Sequence, residues 1–243
     1  MSHFDIVANT NRWRGKSLTE KSLLALGMLA IAVSVPSWHG ALLVAVIMSA
    51  TTLLGARIPP RVWWHAMMAP LGFLLIGVVS LALQFDGLHV GLAPHGLELA
   101  GRLAARALAG LTCLLFLALT TPATRLVSGL RSLGVPAEIA ELALLIYRFL
   151  FLLTDTAEHM HAAQAARLGH VTYRRHMSSL GLLIANLMPR SLARARALEI
   201  GLAARGWRGE LRVLSPVRGV SAAGVAVILL VELLVVAIGL HTA

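Results

Sequence analysis

The sequence predicts an all-α polytopic membrane protein with about five transmembrane helices and a large region of amphipathic helices on the cytoplasmic side. Hydrophobic residues make up 58% of its 243 residues and charged residues 13%, and the mean hydropathy is +0.79. A soluble domain of this size has about 45–50% apolar and about 25% charged residues. Five apolar runs, and an alternation of loops with and without basic residues, indicate the same class.

The apolar runs cross, or nearly cross, a bilayer core that needs about 20 helical residues. They are Ser22–Val35, Gly40–Gly55, Met67–Phe85, Ala104–Thr120 and Gly219–Leu240. The first two runs are short, and we expect Lys21 and Arg57 to extend them by reaching toward the interface. A tight turn at Pro36 predicts that these two runs form a helical hairpin.

The basic residues orient the spans. They precede the first run and separate the second from the third, at Arg12, Arg14, Lys16, Arg57 and Arg61. The loops on the other side, at 36–40 and 86–98, contain no Lys or Arg. The positive-inside rule then places the N-terminus in the cytoplasm, and an odd number of spans places the C-terminus outside.

The chain divides into three parts. Residues 1–121 form an N-terminal membrane domain of four spans, and residues 219–243 form a last transmembrane helix. The segment 122–218 holds 13 of the 19 arginines, and its apolar pieces are too short or too charged to be spans. We interpret it as amphipathic helices along the cytoplasmic face, with Ile139–Leu153 partly inserted. Breaks are predicted at Pro122, 134–136, Gly169 and Pro189.

One predicted helix of the middle segment ends in an arginine that follows a face of small residues. On a helix over Pro189–Gly206, four residues recur every four positions and share one face: Ala193, Ala197, Gly201 and Arg205. The three small residues form a shallow groove in which another helix can approach closely. Gly206 follows at the position where a left-handed glycine commonly ends a helix.

An earlier helix end repeats this pattern. Ala162 and Ala166 are four residues apart, Arg167 follows, and Gly169 ends the run. A guanidinium is a planar, permanently charged fork that matches a carboxylate. The positive-inside bias or binding to lipid phosphate accounts for an arbitrary cytoplasmic arginine. Two small-residue helices that each end in a single arginine favour a second interpretation, in which they insert into acidic pockets on a cytoplasmic partner.

An acidic residue inside the last apolar run is a further candidate site. Glu232 is eight residues from the outer end of its span at Leu240, and an intramembrane carboxylate is a functional hypothesis by default. Arg106 is eight residues from Glu98 in the fourth span, also on the outer side. Equal depth predicts an Arg106–Glu232 ion pair with a structural role, and Arg102 is the alternative partner.

Several chemistries have no matching pattern in this sequence. The ten histidines lack metal-ligand spacing, and we predict no metal site. No nucleophile elbow, Walker-type glycine loop, HExxH or CxxC is present, so any ATP is hydrolysed by a partner. Cys113 is expected to be a small core residue. The net charge of +10 reflects loop arginines and contact with membrane lipid, and we expect no nucleic-acid partner.

The chain resembles the transmembrane T component of energy-coupling-factor (ECF) transporters, and among its subtypes the cobalt-type one. The resemblance covers essentially the whole chain and is strongest over 120–208. It rests on "LTTPATRLVSGLRSLGVP", on "LLIYRFLFLLTDTAEHMHAAQAARLG" as a first coupling helix, and on "GLAARG" as a second. The first motif has leucine at 168, where the family pattern has glycine.

The resemblance implies a non-catalytic coupling subunit in a bacterial inner membrane. Two ABC-type ATPase subunits would bind at Ala166 and Arg167 and at Ala204, Arg205 and Gly206. The other partners would be a membrane substrate-binding subunit and a small accessory membrane subunit. This chain would bind no cofactor, and ATP-Mg would be held by the ATPases. Alternatives are a T component for nickel or a vitamin, and a membrane enzyme or redox anchor.

Overall fold

The computed structural model describes residues 3–35, 37–86, 89–92, 96–131, 134–206 and 219–241, and it confirms the predicted all-α polytopic class. Its helices are α1 His3–Thr10, α2 Leu18–Ser34, α3 Trp38–Ala50, α4 Pro60–Ala82, α5 Gly96–Thr120, α6 Ala123–Leu130, α7 Ala137–Ala166, α8 Tyr173–Ala204 and α9 Ala222–His241. A 3₁₀ turn at Arg12–Gly15 precedes α2, and a π-helical turn at Thr51–Gly55 extends α3.

Four helices of the described chain are long and apolar enough to cross a membrane. They are Trp38–Gly55, Pro60–Ala82, Gly96–Thr120 and Ala222–His241. The remaining predicted run forms α2, which has 17 residues and is therefore about 26 Å long. A bilayer core is about 30 Å thick, so α2 is slightly short for a span, as its apolar run predicted.

The loop after α4 contains a short antiparallel hairpin that the sequence did not predict. Strand β1 covers Leu83–Asp86 and β2 covers His89–Leu92, with Leu83 paired to Leu92 and Asp86 to His89. The third apolar run was expected to extend to Phe85, but α4 ends at Ala82. Residues 83–85 are hydrogen-bonded in β1 instead, which satisfies their backbone groups beyond the helix end.

The contacts of the chain divide it into two units, 1–126 with 216–243, and 127–215. In the first unit, α5 packs against α2, α3 and α4, while α9 packs against α2 and α3. Its core is built from side chains of moderate size, including Met28, Val44, Met48, Cys113 and Phe116. Cys113 is a free, buried thiol, as expected of a small core residue.

Serine caps begin two of these helices. The Ser17 hydroxyl accepts a hydrogen bond from the Glu20 N–H at 3.2 Å at the start of α2. The Ser37 hydroxyl accepts from Gly40 N–H at the start of α3 and donates to the Gly239 carbonyl at 2.9 Å. Such caps satisfy backbone donors that have no partner within the helix. Ser37 also ties the α2–α3 turn to the end of α9.

The second unit contains two long helices, α7 with 30 residues and α8 with 32. The predicted breaks at 134–136 and Gly169 flank α7, whereas the break at Pro189 was wrong because α8 continues through it. Proline removes only one i→i−4 hydrogen bond, and turns on both sides can hold such a helix together. The Ser191 hydroxyl donates to the Met188 carbonyl at 2.8 Å beside the proline.

Candidate functional site

One of the two arginine-bearing helix ends lies at the C-terminus of α8. Ala204 is the last helical residue, and Arg205 is the cap, with φ −95° and ψ 11°. The Arg205 N–H donates to Leu202 O and the Gly206 N–H to Ala203 O, both at 3.0 Å. Gly206 has φ +71°, the left-handed conformation that glycine adopts at low cost. Arg205 is exposed and has no side-chain partner among the described residues.

The end of α7 has the same backbone geometry. Ala166 is the last helical residue and Arg167 the cap, with φ −92° and ψ 17°. The next residue, Leu168, has φ +59°, so leucine occupies the position that Gly206 occupies in α8. Arg167 is also exposed, and no described residue pairs with its guanidinium. A left-handed conformation costs a residue with a Cβ atom about 1–2 kcal/mol.

Gly169, whose function the sequence left open, lies where α8 approaches the end of α7. A Cβ atom at this position would lie 2.7 Å from Ser179 Oγ and 2.9 Å from Gln164 O. Ser179 Oγ donates to the Gly169 carbonyl at 3.1 Å, and Gln164 Nε2 donates to the Ser179 carbonyl at 3.0 Å. Gly169 is therefore needed for close packing of the α7–α8 turn that carries Arg167.

Three histidines pack together beside the same turn. His161 and His170 have ring centroids 4.4 Å apart, and the Nδ1 atoms of His170 and His176 are 2.8 Å apart. Since His170 Nε2 is buried without a partner, we assign the shared proton to His170 Nδ1, which leaves an unpaired acceptor rather than an unpaired donor. Nowhere in the described ranges do three His, Cys, Asp or Glu residues form a metal-binding group.

The two arginines lie at opposite ends of α8. Arg205 directly follows its last residue, whereas Arg167 precedes its first residue, Tyr173, by a short turn. With 32 residues, α8 is about 48 Å long at 1.5 Å per residue. Arg167 and Arg205 therefore cannot enter one common pocket.

The predicted helix-crossing groove is largely uncovered. Its members Ala162, Ala193, Ala197 and Gly201 are all exposed, and a Cβ atom at Gly201 would meet nothing within 4 Å in the described chain. Ala193 lines a cavity together with Leu153 and Thr156 of α7. At this point α7 passes the small-residue face, and the rest of the groove stays open.

The predicted Arg106–Glu232 ion pair is absent from the described contacts. Arg106 Nη2 donates to the Val35 carbonyl at 3.2 Å, and Arg102 pairs with Glu98 at 2.7 Å. The carboxylate of Glu232 lies against Gly27 instead, and its Oε1 is buried without a hydrogen-bond partner in the part of the chain described. Gly27 lies in α2 and Val35, its C-cap, is eight residues further along the chain, which separates the two charges by about 12 Å along the helix axis.

Lys21 was expected to reach the interface but is buried, with 1% of its surface exposed. Its Nζ donates to the Thr120 carbonyl at 2.7 Å, at the last residue of α5. Asn11 Nδ2 donates to the same carbonyl at 3.3 Å, and Arg125 Nη1 donates to the Arg14 carbonyl at 2.5 Å. The last carbonyls of a helix lack intrahelical donors, so the N-terminal segment caps the end of α5. We call this set of contacts the α5 clamp.

The model of the family described as CbiQ, cobalt transport protein, matches residues 10–215. The chain belongs to the CbiQ family.

Three relatives that it matches are cobalt transport proteins by name. The chain is 50% identical over 239 residues to the cobalt transport protein CbiQ of Rhodobacter capsulatus, covering 98% of both chains. It is 28% identical to CbiQ of Salmonella typhimurium, over 88% of this chain and 100% of the relative. A putative fused cobalt transport protein CbiMQ of Methanocorpusculum labreanum is 30% identical over 84% of this chain and 36% of its own length.

Membership of the CbiQ family fits the structure in two respects. The matched range includes both arginine-bearing helix ends and the α5 clamp. The four long apolar helices and the family together identify a multi-pass membrane component of cobalt transport. The T-component resemblance, the transport class and the transmembrane character are thereby confirmed.

Proposed function

We propose that this chain is the transmembrane coupling subunit of an ATP-driven ECF-type importer of cobalt ions. It would link cytoplasmic ABC-type ATPases to a separate membrane subunit that captures the substrate. The observation that carries this proposal is the pair of matching helix ends. Arg167 and Arg205 are both exposed, both cap their helices with nearly the same φ and ψ, and lie at opposite ends of α8.

Each arginine would bind a carboxylate in a groove of one ATPase subunit. A guanidinium at a fixed helix end loses little freedom on binding, and its fork can hold a carboxylate through two hydrogen bonds. The residues beside the arginines are small at Ala166, Ala204 and Gly206, which leaves room for the backbone of a partner. The length of α8 supports two separate ATPase sites rather than one.

The long helices would transmit the motion of the ATPases. ATP-driven closure of the two ATPase subunits would pull on Arg167 and Arg205 at the two ends of α8 and change the angle between α7 and α8. Apolar side chains recur every four residues along α7, and Leu142, Ile146 and Leu150 are all exposed. Such a face suits contact with an apolar membrane subunit, which would tilt as the helices move.

The remaining parts of the proposal rest on the relatives and on the sequence. Cobalt is the cargo named for the relatives. A relative named as a fused CbiMQ supports a membrane protein as a close partner. ATP-Mg would be held by the ATPases, and this chain would be non-catalytic. The distribution of Lys and Arg supports a cytoplasmic N-terminus and an external C-terminus in a bacterial inner membrane.

Co-purification tests the proposal. The chain is expressed with the ATPases and membrane subunits of its own operon, as wild type and as Arg205→Ala and Arg205→Glu. Loss of one member of a buried interfacial charge pair costs about 2–5 kcal/mol, so both variants should lose one of the two ATPase copies and import less ⁵⁷Co²⁺. Arg196→Ala and Arg196→Glu change an exposed arginine on the same helix and should behave as wild type. Unchanged assembly and uptake in both Arg205 variants would refute the proposal.

A further inference from the structure

A cavity of about 280 Å³ lies between α7 and α8, between the two helix ends and apart from both. It is lined by Leu153 and Thr156 of α7 and by Arg190, Ala193 and Arg194 of α8. Arg190 and Arg194 are four residues apart and so share one helix face. The cavity therefore combines two guanidiniums with an apolar wall.

Neither guanidinium has an ion-pair partner within the described ranges. Arg190 and Arg194 are exposed and take part in no ion pair or side-chain hydrogen bond there. Like charges at this spacing destabilise a helix by about 0.2–0.5 kcal/mol. The Thr156 hydroxyl donates to the Leu152 carbonyl at 2.8 Å, so the donors available to a ligand are those of the arginines. An anion with several acceptor oxygens would satisfy them.

The surroundings favour an anion that carries hydrocarbon chains. Leu153 and Ala193 form part of the cavity wall. One helical turn away lie Leu150 on α7, 58% exposed, and Leu187 on α8, which is partly exposed. A free anion needs no such apolar surface, whereas a phospholipid places its phosphate beside its acyl chains. Anionic lipids attract each nearby Lys or Arg by about 1 kcal/mol.

We propose that Arg190 and Arg194 bind the phosphate of an anionic phospholipid at this cavity, with its acyl chains along the exposed apolar side chains of α7 and α8. The lipid would hold the middle of the α7–α8 pair while each end stays free to bind its own partner. This site depends only on the membrane location of the chain and does not require the proposed coupling to ATPases.

Binding of defined lipids to the delipidated full-length chain tests this site. Vesicles of phosphatidylglycerol and phosphatidylcholine are compared for wild type and for Arg190→Gln/Arg194→Gln. The control is Arg174→Gln/Arg175→Gln, which removes two exposed arginines of α8 that do not line the cavity. Two contributions of about 1 kcal/mol predict that the cavity variant binds phosphatidylglycerol about thirtyfold more weakly. The control should lose clearly less, and binding to phosphatidylcholine should be unchanged.

Two results would overturn the proposal. One is an equal loss in the cavity and control variants, which would show attraction by general surface charge. The other is displacement of phosphatidylglycerol by millimolar inorganic phosphate at constant ionic strength, which would assign the site to a free anion. The glutamine variants must retain the helical circular dichroism and elution volume of the wild type. If they do not, the wild-type chain alone decides: it should prefer phosphatidylglycerol to phosphatidylcholine and retain it in millimolar inorganic phosphate at constant ionic strength, and its displacement there would overturn the proposal.

Discussion

Leu168 and Gly206 occupy the same left-handed backbone position, each directly after an arginine that caps a long helix. Their φ angles are +59° and +71°, and the arginines before them have φ of −92° and −95°. The two helix ends thus adopt one geometry from different sequences. Since leucine is strained in this conformation, the surrounding turn must hold it there. Gly169 and Ser179 supply the contacts that do so.

The strain at Leu168 predicts that Leu168→Gly stabilises the chain. Glycine removes a conformational penalty of about 1–2 kcal/mol in the left-handed region. Its greater freedom in the unfolded state cancels part of this gain in folding free energy. We expect a net gain of up to about 1 kcal/mol, measured as a rise in the thermal midpoint in detergent. Gly206→Leu is the matched control and should lower the midpoint. A lower midpoint for Leu168→Gly would contradict the strain.

Gly169 and Gly201 predict opposite effects of the same substitution. Gly169→Ala places a methyl group 2.7 Å from Ser179 Oγ and 2.9 Å from Gln164 O, and such overpacking costs about 1–3 kcal/mol. Gly201→Ala enters open space inside α8, where alanine is favoured over glycine by about 1 kcal/mol. Thermal unfolding of the two variants should move in opposite directions. A neutral Gly169→Ala would show that the α7–α8 turn is looser than described.

The contact between Gly27 and Glu232 predicts a measurable coupling. Gly27→Ala places a methyl group in steric overlap with the side chain of Glu232, so it should destabilise the first unit. Glu232→Ala in the same chain should relieve much of that loss, giving a coupling of about 0.5–3 kcal/mol in a double-mutant cycle. The cycle between Arg106→Gln and Glu232→Gln should be additive, because these side chains do not pair. A large coupling energy in that second cycle would show that Arg106 and Glu232 do form the ion pair that the sequence predicted.

The sequence predicted the membrane class and the helix ends because both depend on local patterns. Composition identified the spans, and Gly206 marked the end of α8 through its conformational preference. Pairing between helices was less predictable. Glu232 and Arg106 are each eight residues from the predicted outer end of their spans, but their partners depend on how α2, α5 and α9 are rotated and staggered. Lys21 was misplaced for the same reason, because its acceptor, Thr120, is 99 residues away.

Other features were missed because their sequence signals are weak. Pro189 usually marks a helix end, yet α8 continues through it because the flanking turns maintain the helix. Histidines 161, 170 and 176 follow no helical spacing, and the α7–α8 turn alone brings them together. Gly169 looked like a helix terminator, and only the position of Ser179 shows that it is needed for close packing.

The central claim is that the two ends of the α7–α8 pair each bind one ATPase subunit. The most direct test counts ATPase copies per chain by native mass spectrometry of the intact complex. Wild type should carry two copies, Arg167→Glu and Arg205→Glu one copy each, and the double variant none. Arg148→Glu/Arg196→Glu reverses two exposed arginines away from the helix ends and should keep two. Two copies on the Arg167→Glu/Arg205→Glu chain would contradict the account.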